Sequence, residues 1–409
     1  MPKQKKTPLI RILISIRRWE LLLLVGLVLL GALGYALYNR LFANTSMEIV
    51  DSLGGNIFPS AILATATSDE NFILPCDTPY VGTPSSLIGV KVHSRTRNTR
   101  IRVEVAETPF FRRSVSEFVL PRPWTEYVVY PDIVWNYGAL RANVQATPVS
   151  VVIQAQVGHH REREKVRTFS VRSINECLLG YYRPYDNGKQ RRFIDRRQLF
   201  AAYVNEDNPQ IDQVLREALN TRIVNRFVGS QGDSATVVRQ VYALWNVLQR
   251  RGFKYSSISN SSFSSGVVAA QRVRTFDDAL ASSQINCLDG SVLMASLMRA
   301  INIVPILVRL PRHMFVGFYT DREMRHANYL ETTMVGNVNL DDYFPDEKLD
   351  STMAHRTKNE ASLLTFNKAM EYAQNNMRRY DKFFKNNTVG YTLLPITSEV
   401  RRKIQPIGK

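Results

Sequence analysis

The chain lacks the signatures by which metal, nucleotide and serine chemistry are usually read. It has no Cys-x-x-Cys pair, no His-Glu-x-x-His, no Gly-x-x-x-x-Gly-Lys loop and no Gly-x-Ser-x-Gly elbow. No cofactor and no metal is therefore expected. Cysteine is scarce, with only Cys76, Cys177 and Cys287 among 409 residues, and an odd number leaves one thiol without an internal partner. Acids are missing from the start of the chain, where the first is Glu20, and no internal repeat is evident.

Long apolar runs are absent but for one. Residues 21–38 carry no charge, and Trp19 and Glu20 extend the run to a length that crosses a hydrocarbon core. The expectation is a transmembrane helix at 19–38 behind a basic cytoplasmic tail at 1–18. Lys3, Lys5, Lys6, Arg11, Arg17 and Arg18 put that tail inside by the positive-inside rule. A cleaved signal peptide is the competing reading, but the run exceeds a usual h-region and the small-residue site Gly34-Tyr35-Ala36 falls within it. Either way the bulk of the chain is expected outside, on the periplasmic or extracellular side of a bacterial inner membrane.

Composition beyond that run is ordinary for a globular protein, 44% hydrophobic and 22% charged, with room for two compact domains. The formal net charge is +17, of which residues 1–40 hold +6, so the remainder is itself basic. A basic body attracts anionic headgroups or acidic polymers, or merely stays soluble. The cluster Lys189, Arg191, Arg192, Arg196 and Arg197 reads as a solvated face. The expected compartment argues against nucleic acid as a partner.

From residue 44 to 179 the pattern has period two. Ile101, Val103 and Val105 alternate with Arg100, Arg102 and Glu104, and Val149, Val151, Ile153, Ala155 and Val157 repeat the alternation. Further strands are predicted at 87–93, 116–120, 125–130 and 166–172, and this spacing points to an Ig-like β-sandwich. A polar, basic link at 182–197 marks a domain boundary. Beyond it, at 198–409, helical spacing takes over.

Asn208-Pro209 predicts a helix start, and a second helix runs from Ser234 to a stop at Gly252. The Ser-rich stretch 253–272 reads as a surface loop, and Thr275 with Asp278 as the opening of a short helix. A helix over 287–300 and strands over 304–310, 313–319 and 327–334 follow. The last long helix is expected to bury Leu363, Phe366, Met370, Ala373, Met377 and Phe384.

Cys287 falls in the first turn of its predicted helix, where unpaired amides and the helix dipole favour a thiolate. A useful thiol nucleophile also needs an imidazole to move its proton and a polar group to orient that ring. His313 opens the second predicted strand and Glu331 lies in the third, so a meander brings the two together. Asp289 and Gly290 serve helix entry and close packing.

These residues resemble bacterial transglutaminase-like proteins of the papain-like superfamily, in which Cys opens a helix and His and Asp lie on adjacent strands. The resemblance rests on Asn286-Cys287-Leu288-Asp289-Gly290, on Arg312-His313-Met314-Phe315-Val316-Gly317 and on Glu331-Thr332-Thr333, and extends more weakly over 237–255. It covers roughly the C-terminal half. It implies an α+β fold with a papain-like domain, Cys287 as nucleophile, His313 as general base and then acid, and Glu331 where the family usually has Asp. That departure leaves Asn328 as an alternative orienting group.

The backbone amide of Cys287 and the side chain of Gln284 are the candidate oxyanion donors. A Cys76–Cys177 disulfide in the β-rich region would leave Cys287 free. The implied activity is amide cleavage or amide transfer through a thioester, on a protein or peptide of the cell envelope. The alternative is a non-catalytic envelope scaffold that keeps the fold.

Overall fold

Period-two alternation places the strands of the N-terminal half. In a computed structural model of the full chain, buried and exposed side chains alternate along Thr99–Val105 and along most of Thr147–Val157. The structure describes 18–42, 47–68, 72–74, 77–158, 160–161, 163–184, 191–256, 262–336, 339–353 and 355–408.

Ile88–Ser94, Ser114–Leu120, Thr125–Tyr130 and Lys165–Val171 lie where the alternation put them, give or take two residues. One sheet orders Glu48–Asp51, Ile88–Ser94, Thr125–Tyr130 and Tyr80–Gly82. A second runs from Asn56–Ile57 through Lys165–Val171, Thr147–Val157 and Thr99–Val105 to Ser114–Leu120. Their inward residues, among them Val90, Val129, Val103, Val151 and Phe169, belong to one apolar core.

That core continues into the C-terminal half. A third sheet orders Arg191–Asp195, Glu176–Pro184, Val268–Arg272 and Ser262–Ser264, so the strand that enters the 182–197 link pairs with residues far along the chain. The stretch 253–272 is thus not a plain surface loop. Val268 and Ala270 are buried, and their strand pairs antiparallel with Glu176–Pro184. Serine content pointed to a loop, but two buried positions at period two determine the pairing.

The last sheet carries the residues of interest. It orders Ala327–Leu330, His313–Tyr319, Pro305–Leu310 and Thr392–Pro395, all antiparallel. Side chains of successive strand residues point to opposite faces. Leu307, Met314, Val316 and Phe318 therefore join the main core with the Cys287–Ala300 helix, while Ile306, Val308, Leu310 and Phe315 form a second cluster with Ala373, Met377 and Phe384 of the Lys358–Lys385 helix. Leu363, expected on the inner side of that helix, is exposed. The buried stripe is Phe366, Ala369 and Ala373, and Leu363 lies off it.

Local signals set the other helix ends. Asp233 caps Ser234–Arg250 by accepting from Thr236 N at 2.7 Å, and Gly252 follows its end with φ +73°, the left-handed geometry that glycine supplies there. The helix expected at Asn208-Pro209 starts two residues late, at Ile211, because Asn208 turns the chain instead, its Oδ1 accepting from Gln210 N at 2.9 Å.

Two expectations are overturned. The span predicted at 19–38 lies in the Arg18–Phe42 helix, whose side chains are described for 21–34. Among the described residues no helix is long and apolar enough to cross a membrane. The transmembrane anchor is withdrawn, and with it the single-pass inner-membrane location and the exported bulk. The argument against nucleic acid, which rested on compartment, loses its basis.

The second is the disulfide. Cys177 is a free thiol without exposed surface, its Sγ 3.8 Å from Leu178 O, so no Cys76–Cys177 bridge forms. Cys177 points from its strand into the core. Cys76 lies outside the described residues, as do Lys189 and residues 1–17.

Gly290 sets how closely the Cys287–Ala300 helix approaches the chain beyond the last sheet. A Cβ there would meet Thr332 Oγ1 at 2.8 Å and Thr332 Cβ at 2.9 Å. Gly290→Ala should therefore destabilise the fold by about 1–3 kcal/mol, the usual scale of overpacking, read as a lowered urea midpoint.

Candidate active site

The thiol is positioned by a capped helix start. Asn286 Oδ1 accepts from Leu288 N at 2.9 Å and from Asp289 N at 2.8 Å, while Asp289 Oδ2 accepts from Asn286 N at 3.3 Å. This reciprocal capping box satisfies first-turn donors that a helix otherwise leaves unpaired. Asp289, almost fully buried, is also spent on Arg274, accepting from its backbone N at 2.8 Å and from Nη1 at 2.5 Å. It serves helix entry, as expected. Cys287 is the first residue of this helix and half-buried.

The imidazole arrives from the sheet. His313 follows the turn at Pro311 and Arg312, and its side chain keeps 30% of its surface exposed. Its Nε2 lies 2.6 Å from Glu331 Oε2. Cys287 and His313 line one cavity, and the Cys287 side chain, with Glu331, favours the protonated ring. Burial pulls the His313 pKa down, but the hydrogen bonds with Cys287 and Glu331 outweigh it and hold it up at about 10. The ring therefore carries both protons near neutrality.

Glu331 departs from its predicted place inside a strand. The strand ends at Leu330, and Glu331 caps a one-turn 3₁₀ helix, Thr332–Met334. The turn gives its side chain three partners. Thr333 N and Thr333 Oγ1 donate to Oε1 at 3.1 and 2.8 Å, and His313 takes Oε2. A glutamate with no exposed surface is stable only when paired in this way. The same turn docks on the helix, where Thr332 Oγ1 donates to Cys287 O at 3.4 Å and Ser291 Oγ donates to it at 2.6 Å.

Two candidates are not brought in. Asn328 pairs in register with Phe318, five residues along the strand from His313 and roughly 16 Å away at about 3.3 Å per residue. Gln284 is exposed and pairs with Lys254. The first-turn amide left over by the cap is that of Cys287 itself.

Two groups were not legible in sequence. Tyr255, beside Ile285 in the parallel pairing of Lys254–Tyr255 with Gln284–Ile285, has its phenol pKa pushed up by burial and then by the charges at Cys287 and Glu331. Arg309 and Arg312 share a cavity of about 300 Å³ with Cys287 and His313. No protein-family model matches the chain, and no curated protein matches it.

A raised imidazole pKa has a definite sign in stability. With an ordinary value of 6.5 and about 10 when folded, His313 stabilises the fold fully below about pH 6.5, and this contribution fades as pH rises through about 10. The difference in urea midpoint between wild type and His313→Asn should shrink across that window. In histidine NMR titrations, Glu331→Gln should lower the His313 midpoint.

Proposed function

We propose that this chain is a thiol-dependent enzyme of transglutaminase-like kind, which opens amide bonds through a thioester on Cys287. The observation that carries the reading is an imidazole held by a carboxylate and sharing one cavity with a thiol on the first residue of a capped helix. Such a pair can keep its proton on the ring and its negative charge on sulfur.

The step follows from these positions. Cys287 sulfur attacks the amide carbonyl carbon, forming the S–C bond, and the negative oxygen turns toward the Cys287 N–H. The oxyanion then collapses, the C–N bond breaks, and the His313 imidazolium gives its proton to the departing amine. Neutral His313 next takes a proton from water, or from an amine, as that nucleophile attacks the thioester. The S–C bond breaks, returning the thiolate and releasing an acid or a new amide. Glu331 holds the ring and offsets its charge throughout.

A glutamate in place of aspartate was the feature favouring a scaffold without chemistry. The extra methylene is taken up by the 3₁₀ turn, and the 2.6 Å contact to His313 is made all the same. The envelope substrate rested on the anchor and falls with it, so the reading carries no location.

Iodoacetamide near neutral pH tests the pair. Cys287 should be modified far faster than the buried Cys177, and His313→Ala should slow Cys287 by about tenfold or more, the scale of losing a positioned base. An unchanged rate in His313→Ala would sink the proposal. Mass spectrometry of the Cys287 and Cys177 peptides gives both rates from one sample.

A further inference from the structure

The wall of the Cys287 cavity carries charge of one sign. Arg309 and Arg312 stand in it beside His313, and among the described residues no acid lines it. Gln271 adds a neutral polar group, while Phe200 and Met314 supply apolar surface. Arg312 sits in the tight turn that delivers His313 and Arg309 in the strand before it, since Leu310 pairs with His313 and Arg309 with Met314. Arg309 therefore lies on the sheet face that packs the Cys287–Ala300 helix, two residues along from the core residue Leu307.

Among the described residues, neither arginine has a carboxylate partner. Arg309 donates from Nη1 to Gly390 O at 3.2 Å, which ties the guanidinium in place without neutralising it. Arg197, the next cation, is paired with Asp195 at 2.5 Å. Burial, then repulsion from Arg197, pulls the Arg309 pKa down to about 10, with Asp195 acting the other way. A half-buried guanidinium crowded by another cation is stabilised by an incoming anion, and its planar fork suits a carboxylate best.

We infer that the cavity beside Cys287 selects acyl donors that carry a carboxylate close to the reacting carbonyl, held by Arg309 and Arg312. The inference rests on the thiol-nucleophile reading above and names the substrate class of the same site. A cavity of about 300 Å³ admits one or two residues at roughly 3.3–3.6 Å each, so the carboxylate belongs to the residue at the scissile bond or its neighbour. An acidic side chain and a free chain terminus offer the same chemistry.

Three bromoacetyl probes separate these sources. Bromoacetyl-glutamate amide carries a side-chain carboxylate, bromoacetyl-glutamine a terminal one, and bromoacetyl-glutamine amide none. In each, Cys287 sulfur forms the S–C bond and bromide leaves. The His313 charge favours both anionic probes in every variant that retains it, so the change in charged-to-neutral rate ratio on arginine substitution isolates the arginines.

Wild type should prefer at least one charged probe by roughly tenfold, the worth of about 1.4 kcal/mol, and salt should erode the preference. Arg309→Gln with Arg312→Gln should bring the ratio within about twofold, and Arg309→Lys with Arg312→Lys should restore part of it. Arg312 is exposed, so Arg312→Gln alone gives a readout if the Arg309 variant folds poorly. Equal rates for all three probes in wild type, or a ratio unmoved by the glutamine substitutions, would overturn the inference and leave the thiol reading standing. If no probe modifies Cys287, both fall.

Discussion

Two carboxylates with almost no exposed surface flank Cys287, and each has to be matched by a cation for the chain to fold around it. Asp289 is matched by Arg274 and Glu331 by His313. Because Asp289 is consumed by the helix cap and Arg274, only Glu331 faces the imidazole. The division of labour is structural before it is chemical. The first carboxylate anchors the helix that carries the thiol, and the second anchors the ring that meets it. Gly290 lets Thr332 sit against the helix and so brings the two anchors within reach of each other.

What sequence reveals here follows the range over which each signal acts. Alternation at period two and the glycine after Arg251 are local, and the strands and helix ends they predict are in place. The Cys287–Ala300 helix and the His313–Tyr319 strand fall where their patterns put them. Glu331 was seen as a partner for His313 but assigned to the wrong element, since the step from strand to 3₁₀ turn depends on contacts with Thr333 and Ala369 rather than on propensity. The 253–272 stretch failed for a related reason, because Val268–Arg272 pairs with the distant Glu176–Pro184 strand and Lys254–Tyr255 with Gln284–Ile285. Arg309 and Tyr255 carry no local signature at all, as their relation to Cys287 exists only once the sheet and helix are packed.

The two described cysteines show how far surroundings decide what one residue type does. Cys177 has no exposed surface and lies against apolar neighbours, where burial pushes the thiol well above its ordinary range. Such a group packs as a small hydrophobe. Cys287 is half-buried at a helix start, against an imidazole that holds a proton near neutrality. The expectation of a bridge at Cys177 followed from assigning the chain to an oxidising compartment. Cys177 instead fills the core where Glu176–Pro184 passes beneath Tyr203, whose hydroxyl donates to Ile174 O at 2.9 Å.

The cap also bears on where negative charge would gather in the proposed reaction. Asn286 takes the amides of Leu288 and Asp289, and Gly290 N donates to Asn286 O at 3.0 Å. What is left at the front of the helix is the amide of Cys287, next to the sulfur that would bond to the substrate carbon. A donor fixed by the helix needs no reorganisation when an oxyanion forms, which is why such preorganised groups lower barriers more than mobile ones. A side chain such as Gln284, exposed and paired through its backbone with Lys254, would have to be ordered first. The same residue thus provides the nucleophile and the donor, and the asparagine before it determines which amide is free to act.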